Sequence, residues 1–325
     1  MRAGPLEARG IWILALLILS VTSLLVGAVP LGFADVWRLL TGESTAQTEL
    51  VVLELRLPRT LMALVTGAIL ATGGAVMQSL LRNPLAEPGL VGVSAGAALG
   101  AVSLMFCGVS GFLWIGLSGF AGALFATFIA WQLARGWHGS AGLLLAGVAI
   151  NAVVFSLISL LISLSSDTQI RSITFWSLGS MTRAPAFVVY CLVVWSVIGW
   201  WLMYRHWPAL NALLLGDQAA AQVGVRVKPL RFFYIILMAL LVGPLTAFTG
   251  AISFIGLLVP QVIRRRIGSD HRRLLPLAAL WGGLAVLGAD ILTRVLLAPA
   301  ELPIGVVISL VGAPAFMWVL RQQRR

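Results

Sequence analysis

The feature that most limits what this chain can fold into is a series of unbroken apolar runs, each about one bilayer crossing long. The stretch 56–96 shows the pattern. It begins with the pair Arg56 and Arg59 around Leu57-Pro58, runs apolar, breaks at Arg82-Asn83-Pro84, and turns apolar again at Leu90. A helix needs ~20 apolar residues to span a hydrocarbon core of about 30 Å. Ten such runs follow one another: 11–29, 60–81, 89–107, 112–134, 141–163, 187–204, 231–249, 252–263, 275–297 and 304–320. The runs are continuous rather than alternating, which points to helices and against a membrane barrel. The eighth is short for a full crossing and reads as a broken or tilted segment held against its neighbours. The sequence therefore predicts an all-α integral membrane protein of about ten transmembrane helices, with residues 1–325 forming one transmembrane domain. A soluble fold is excluded by bulk: 60% of the 325 residues are hydrophobic and only 10% charged, against about one-quarter charged in soluble domains.

A net charge of +11 would suggest a nucleic-acid partner in a soluble chain. In a membrane chain, basic residues in short loops set orientation instead. With the N-terminus inside, the inner side holds Arg2, Arg9, Arg82, Arg135, Arg205, Arg226, Lys228, Arg231, Arg264, Arg265, Arg266, Arg272, Arg273, Arg321, Arg324 and Arg325. That is 16 of 22 basic residues. The other six are Arg38, Arg56, Arg59, Arg171, Arg183 and Arg294. The bias predicts both termini in the cytoplasm. Residues 11–29 are expected to stay as a first span, because Pro30-Leu31-Gly32 offers no small-residue cleavage site. Cys107 and Cys191 lie in apolar segments and read as small hydrophobes rather than a disulfide or metal pair.

The connections 30–56, with an interfacial helix expected around Trp37, and 164–186 fall outside. The loops 205–230 and 264–274 fall inside. Ten spans also suit two inverted halves of five. Gly92, Gly96 and Gly100, four residues apart, read as a surface for close helix packing.

Catalytic and metal chemistry find no support. Gly92-Val93-Ser94-Ala95-Gly96 has the form of a nucleophile elbow, but it opens an apolar helix, and the three histidines (His138, His206, His271) lie in or beside inner loops. No zinc-type cluster is present, nor any phosphate-binding loop; the only lysine, Lys228, follows Val227. If ATP drives this protein, another chain binds it. The expectation is thus no enzyme, no catalytic residue, no metal and no cofactor held by this chain.

Three features invite a role. Asp290 lies within a span, with Arg294 one turn later, so the two are expected to form a structural ion pair. Arg56, Arg59 and Arg294 break the positive-inside trend. Singly each reads as a snorkelling residue. Three on one rim make a docking site for carboxylates competitive, since the guanidinium fork binds them bidentately. Third, residues 213–224 read as a short inner helix with Asp217 at its N-terminal end and Gly224 to stop it. It suits a plain connector or a knob that fits a partner's groove.

Taken in order, Arg56-Leu-Pro-Arg59, Gly74-Ala-Val-Met-Gln78, Asn83-Pro-Leu-Ala-Glu-Pro-Gly89, Gly216 to Gly224, Phe254-Ile-Gly-Leu, Asp270-His-Arg, Asp290 to Arg294 and Glu301-Leu-Pro-Ile-Gly305 resemble the FecCD-type permeases. That family imports iron-siderophores, haem and cobalamin by ATP-binding-cassette transport. The likeness runs from about residue 50 to 320, and the stretches 83–96 and 301–314 are especially similar to the cobalamin permease. The resemblance implies a type II importer subunit that pairs with itself, with two ATPase subunits inside that carry ATP and magnesium, and a substrate-binding protein outside. It assigns binding-protein docking to Arg56, Arg59 and Arg294. It assigns ATPase coupling to Leu215, Gly216, Asp217, Ala220 and Gly224. It assigns a cytoplasmic gate to Asn83, Leu85, Ser140 and Ala141, the last two matched by position only. One departure stands out: many relatives have histidine where Gln261 follows Pro260.

For cargo, Phe175-Trp-Ser-Leu-Gly-Ser180 and 210–216 resemble haem and siderophore permeases, which favours an iron complex with haem first and cobalamin as the alternative. The rival from another class, an ATP-independent carrier or channel, needs an intramembrane ionisable site or a pore ring, and the sequence supplies neither.

Overall fold

The computed structural model describes residues 5–27, 29–135, 141–298 and 300–323, and among these it is all helix and turn. Ten helices coincide with the ten apolar runs: α1 (Pro5–Leu25), α4 (Leu57–Leu80), α5 (Val93–Phe106), α6 (Phe112–Ala134), α7 (Ala141–Ser163), α9 (Ala186–Arg205), α12 (Val227–Thr249), α13 (Ile255–Ile267), α14 (His271–Val295) and α15 (Ile304–Gln323). Five shorter ones connect them: α2 (Phe33–Thr41), α3 (Ala46–Glu49), α8 (Asp167–Ser177), α10 (Trp207–Leu214) and α11 (Asp217–Gln222). Trp37 lies on α2 and is exposed. The eighth run becomes the 13-residue α13, about 20 Å long at 1.5 Å per residue and so shorter than a bilayer core.

The sequence starts the second span after the arginine pair. The structure starts the helix earlier: α3, a π-helical turn over Leu50–Arg56 and α4 form one rod from Ala46 to Leu80. Pro58 explains the wide turn. It has no N–H to donate, and its ring would strike the carbonyl four residues back. The backbone widens ahead of it, with the Leu57 N–H reaching the Val52 carbonyl. Arg56 and Arg59 are therefore fixed on a helix, one turn apart, rather than carried on a connector.

α4 and α12 are the buried centre, and small residues set how closely others approach α4. A Cβ on Gly67 would lie 2.1 Å from the Gly282 carbonyl oxygen of α14, and one on Gly74 would lie 1.9 Å from that of Gly256 in α13. The expected close packing at Gly96 and Gly100 is present against α6, where added Cβ atoms would come within 2.3 Å of the Gly122 oxygen and 2.1 Å of the Ser118 oxygen. By contrast, α6, α7 and α9 turn apolar side chains such as Phe125, Phe155 and Trp201 outward, as helices bathed in lipid or facing another membrane subunit do.

Between α12 and α13 the chain breaks at Gly250 (φ 77°) and Phe254 (φ 68°). Only glycine fits the first: a Cβ there would meet the Trp176 carbonyl oxygen at 2.3 Å. Asp270 starts α14. Its carboxylate accepts from Asn211 Nδ2 at 2.8 Å and the Arg272 N–H at 3.0 Å, and these bonds, the Asn211 one foremost, hold it below the usual carboxylate range.

Candidate functional site: the two ends of the central helix

At its N-terminal end α4 meets α1, α14 and the connection before α15, and the three arginines singled out in the sequence converge there. All are buried, at 6% (Arg56), 9% (Arg59) and 7% exposure (Arg294), so none snorkels. Asp290, 1% exposed, sits among them. Its carboxylate accepts from Arg59 Nε at 2.9 and 3.1 Å and from Arg294 Nη2 at 2.7 Å. The Asp290–Arg294 pair expected from the spacing is present, and Asp290 also neutralises Arg59.

The remaining donors of Arg56 and Arg294 close the end of α1. Arg294 Nη1 donates to the carbonyls of Ser23 (2.8 Å) and Val26 (3.0 Å), and Nη2 to Ser23 Oγ (2.6 Å). Arg56 Nη1 donates to Leu24 (2.8 Å) and Leu25 (2.7 Å), and Nη2 to the Val29 carbonyl. A helix ends with carbonyls that lack partners and a partial negative charge, and two guanidinium groups satisfy both here. Gly27 leaves the room: a Cβ on it would touch Arg56 Nη2 at 2.8 Å.

Arg59 is held differently. Its Nη1 donates to both oxygens of Glu301, at 2.9 and 3.0 Å, and Nη2 reaches Thr293 Oγ1 at 3.4 Å. Glu301 is half exposed. A cavity of ≈270 Å³ opens beside this cluster, lined by Gly27, Glu54, Arg56, Arg59, Arg294 and Glu301. Nearby, Arg183 donates to the carbonyls of Trp176 (3.0 Å) and Phe175 at the end of α8, and burial lowers its pKa to about 10.

The other end of α4 carries the Asn-Pro hairpin and, beside it, α10 and α11. The backbone turns at Arg82, whose φ of 47° is rare for a residue with a side chain. Asn83 Oδ1 accepts the Leu85 N–H at 2.9 Å, a side-chain turn that stiffens the hairpin, and Leu85 is exposed. Gln261 donates from Nε2 to the Pro84 carbonyl at 2.6 Å. It ties α13 to the hairpin without an imidazole.

α11 begins at Asp217 as the sequence predicts, after Gly216 at φ 107°. Gly224, at φ 87°, ends it. Asp217 accepts from Arg231 Nη2 at 2.8 Å and lies 3.8 Å from Arg82 Nη2. One carboxylate thus joins the short helix to α12 and to the hairpin. Ala220 is buried and Leu215 is 75% exposed. An open cavity of ≈540 Å³ lies between the hairpin and α11. Ser140 lies outside the described residues, and Ala141 is the first residue of α7, so the second half of the expected gate is not seen.

Between the two ends, a cavity of ≈210 Å³ is lined by Leu70, Glu87, Ser94, Asn151, Phe155 and Ser253. Burial pushes the Glu87 carboxyl up to about 7. His271 is wholly buried, with Nε2 2.7 Å from Ser79 Oγ and Nδ1 2.7 Å from Asn211 Oδ1; it fastens α14 to α4 and α10. Among the described residues, no group of three or more His, Cys, Asp and Glu side chains could hold a metal.

Sequence reasoning found the arginines, Asp290 and α11. It missed Glu301 as a partner of Arg59, Ser23 as a partner of Arg294, and the Gln261 tie. Partners 242 and 271 residues apart leave no periodic trace, although Glu301 stands within a motif already noted.

A multi-pass helical bundle, with an arginine cluster at one end of its central helix and a short exposed helix at the other, is the build of an ABC-importer permease. Residues 15–322 match the FecCD transport family, and the chain belongs to it. It is 41% identical to the hemin transport system permease protein HmuU of Yersinia pestis, over 99% of this chain and 98% of that one. It is 39% identical to the vitamin B12 import system permease protein BtuC of Citrobacter koseri, over 94% of each. A solved structure of a metal-chelate type ABC transporter in an inward-facing conformation superimposes with a TM-score of 0.85 at 30% identity, covering 96% of this chain and 97% of that one. The protein is a transport subunit.

Proposed function

We propose that this chain is the inner-membrane permease of a binding-protein-dependent importer for an iron complex, with haem as the cargo. The observation that carries the reading is that the arginine cluster and α11 lie at opposite ends of one central helix, α11 joined to its hairpin through Asp217 and Arg82. The Arg56–Arg59–Arg294 cluster faces outward to receive acidic side chains of a binding protein, and α11 faces the cytoplasm to seat in an ATPase. Both termini are cytoplasmic, two copies pair around the path, and two ATPase subunits supply the energy through ATP and magnesium. Alternation of access follows: ATP binding and hydrolysis move α11, Asp217 passes that motion to Arg82, and the hairpin at Asn83 and Leu85 opens or closes the inner end. The likeness to HmuU over nearly the whole length supports haem. Cobalamin is the second reading, favoured by the likeness to BtuC.

The test is purification of the tagged chain in mild detergent, with co-purifying proteins identified and their stoichiometry weighed. The expected result is two copies of this chain with two ATPase subunits, and haem uptake in liposomes only with ATP and binding protein present. A chain that purifies alone and transports without ATP would overturn the reading in favour of a secondary carrier.

A further inference from the structure

The arginine cluster is already balanced. Around the ≈270 Å³ cavity, Arg56, Arg59 and Arg294 face three carboxylates: Glu54 on the cavity wall, Asp290 beneath it and Glu301 at its mouth. An incoming carboxylate therefore meets three arginine charges already answered by three carboxylates, with Arg183 of the adjoining cavity as the one further cation. It also meets no free fork on Arg59, because Nε is held by Asp290, Nη1 by Glu301 and Nη2 by Thr293.

The two carboxylates on Arg59 differ in what holds them. Asp290 is 1% exposed, lies within α14 and is shared with Arg294. Removing it would leave two buried cations with one fewer counter-charge, so it is a fixed part of the fold. Glu301 has a side chain 50% exposed and lies on the connection between α14 and α15. The backbone there is pinned just beyond it, where the Leu302 N–H donates to the Thr293 carbonyl at 3.1 Å. A side-chain rotation alone can therefore release Arg59 while the backbone stays in place.

We propose that Glu301 is an internal stand-in for the docking partner's acidic side chain: it occupies the outer fork of Arg59 in the undocked permease and is displaced when a Glu or Asp of the binding protein takes its place. The inference rests on the docking reading given above. Exchange of one carboxylate for another is close to neutral in energy, so the latch lowers docking affinity without removing its specificity. It also keeps Arg59 from binding stray anions, and a released Glu301 is left free to repel a second acidic group.

The experiment uses the permease–ATPase complex in lipid nanodiscs and the cargo-free binding protein of the same transport system, with Kd measured at two salt concentrations. Glu301→Gln is the main variant, Glu301→Ala a second that removes the side chain's reach, and Arg59→Gln the control for docking itself. The expected result is that both Glu301 variants bind roughly three- to ten-fold more tightly than wild type, the range set by one partly exposed ion pair, and that Arg59→Gln binds at least about ten-fold more weakly. If Arg59→Gln weakens binding but both Glu301 variants bind as wild type or more weakly, Glu301 is no competitor and the proposal fails while the docking reading stands. If Arg59→Gln binds as wild type, the docking reading itself fails and takes the proposal with it.

Discussion

Single side chains in this protein are asked to be charged in places that do not favour charge, and each is answered by its own local device. Asp290 serves Arg59 and Arg294, the end of α1 serves Arg56 and again Arg294, and Glu87 has no ionic partner among the described residues. For Glu87 the device is protonation. Its carboxyl has a native pKa of about 7 against an ordinary 4.5, so the fold binds the proton more tightly than the unfolded chain. Stability from this group is fully present below about 4.5 and is lost as pH rises to about 7. Glu87→Gln keeps the neutral form at every pH. The thermal midpoint of wild type is expected to fall relative to that of the variant between pH 4.5 and 7, read by unfolding scans in detergent. Parallel midpoints across that window would show that Glu87 keeps an ordinary carboxylate pKa in the fold. The residue scale is also where the sequence was least legible. The i, i+4 spacing announced Asp290–Arg294, but nothing local announced that Arg59 would find Glu301 or that Gln261 would find Pro84.

At the scale of elements the sequence was far more legible, because hydropathy alone sets where a helix crosses a membrane. All ten runs became helices, while the single helix expected over 213–224 is split at Gly216, with Leu213 and Leu214 ending α10 and α11 running from Asp217 to Gln222. The π-turn before Pro58 and the early start of the central rod escaped, since hydropathy reads length and polarity but not backbone register. Helix contacts here rest on missing side chains, and this is testable. Gly74→Ala would put a methyl group 1.9 Å from the Gly256 carbonyl oxygen, a backbone atom that no rotamer change can move aside. α13 would have to shift off α4, at a cost of about 1–3 kcal/mol for overpacking. The variant is expected to show a lower thermal midpoint, while Gly288→Ala on α14, where a Cβ meets nothing within 4 Å, is expected to melt as wild type. Equal midpoints for Gly74→Ala and wild type would mean that α4 and α13 do not touch there.

On the scale of the whole molecule, the short helix α11 contributes one buried side chain, Ala220, to the bundle and is otherwise connected to it by ion pairs of Asp217. Replacing residues 216–224 with a flexible Gly/Ser linker is therefore expected to leave the permease folded, with wild-type elution and melting. In the assembled importer, ATP hydrolysis should persist while uptake in proteoliposomes falls to background. Uptake at the wild-type rate would remove α11 from the coupling path.

The central rod from Ala46 to Leu80 runs 35 residues, about 50 Å at 1.5 Å per residue. It holds Arg56 and Arg59 about 15–20 Å in from its first residue and leads into the Arg82 hairpin at its far end. A helix resists twist and compression along its axis, so the two ends share one clock face and one ruler. A deletion or insertion of a single residue between Arg59 and Leu80 turns the arginine cluster by about 100° against the hairpin. The two surfaces proposed here for docking and for coupling are therefore bound to drift together in descent. A lineage can change what it greets on either side of the membrane by substitution, but it cannot change the phase between those sides without rebuilding both.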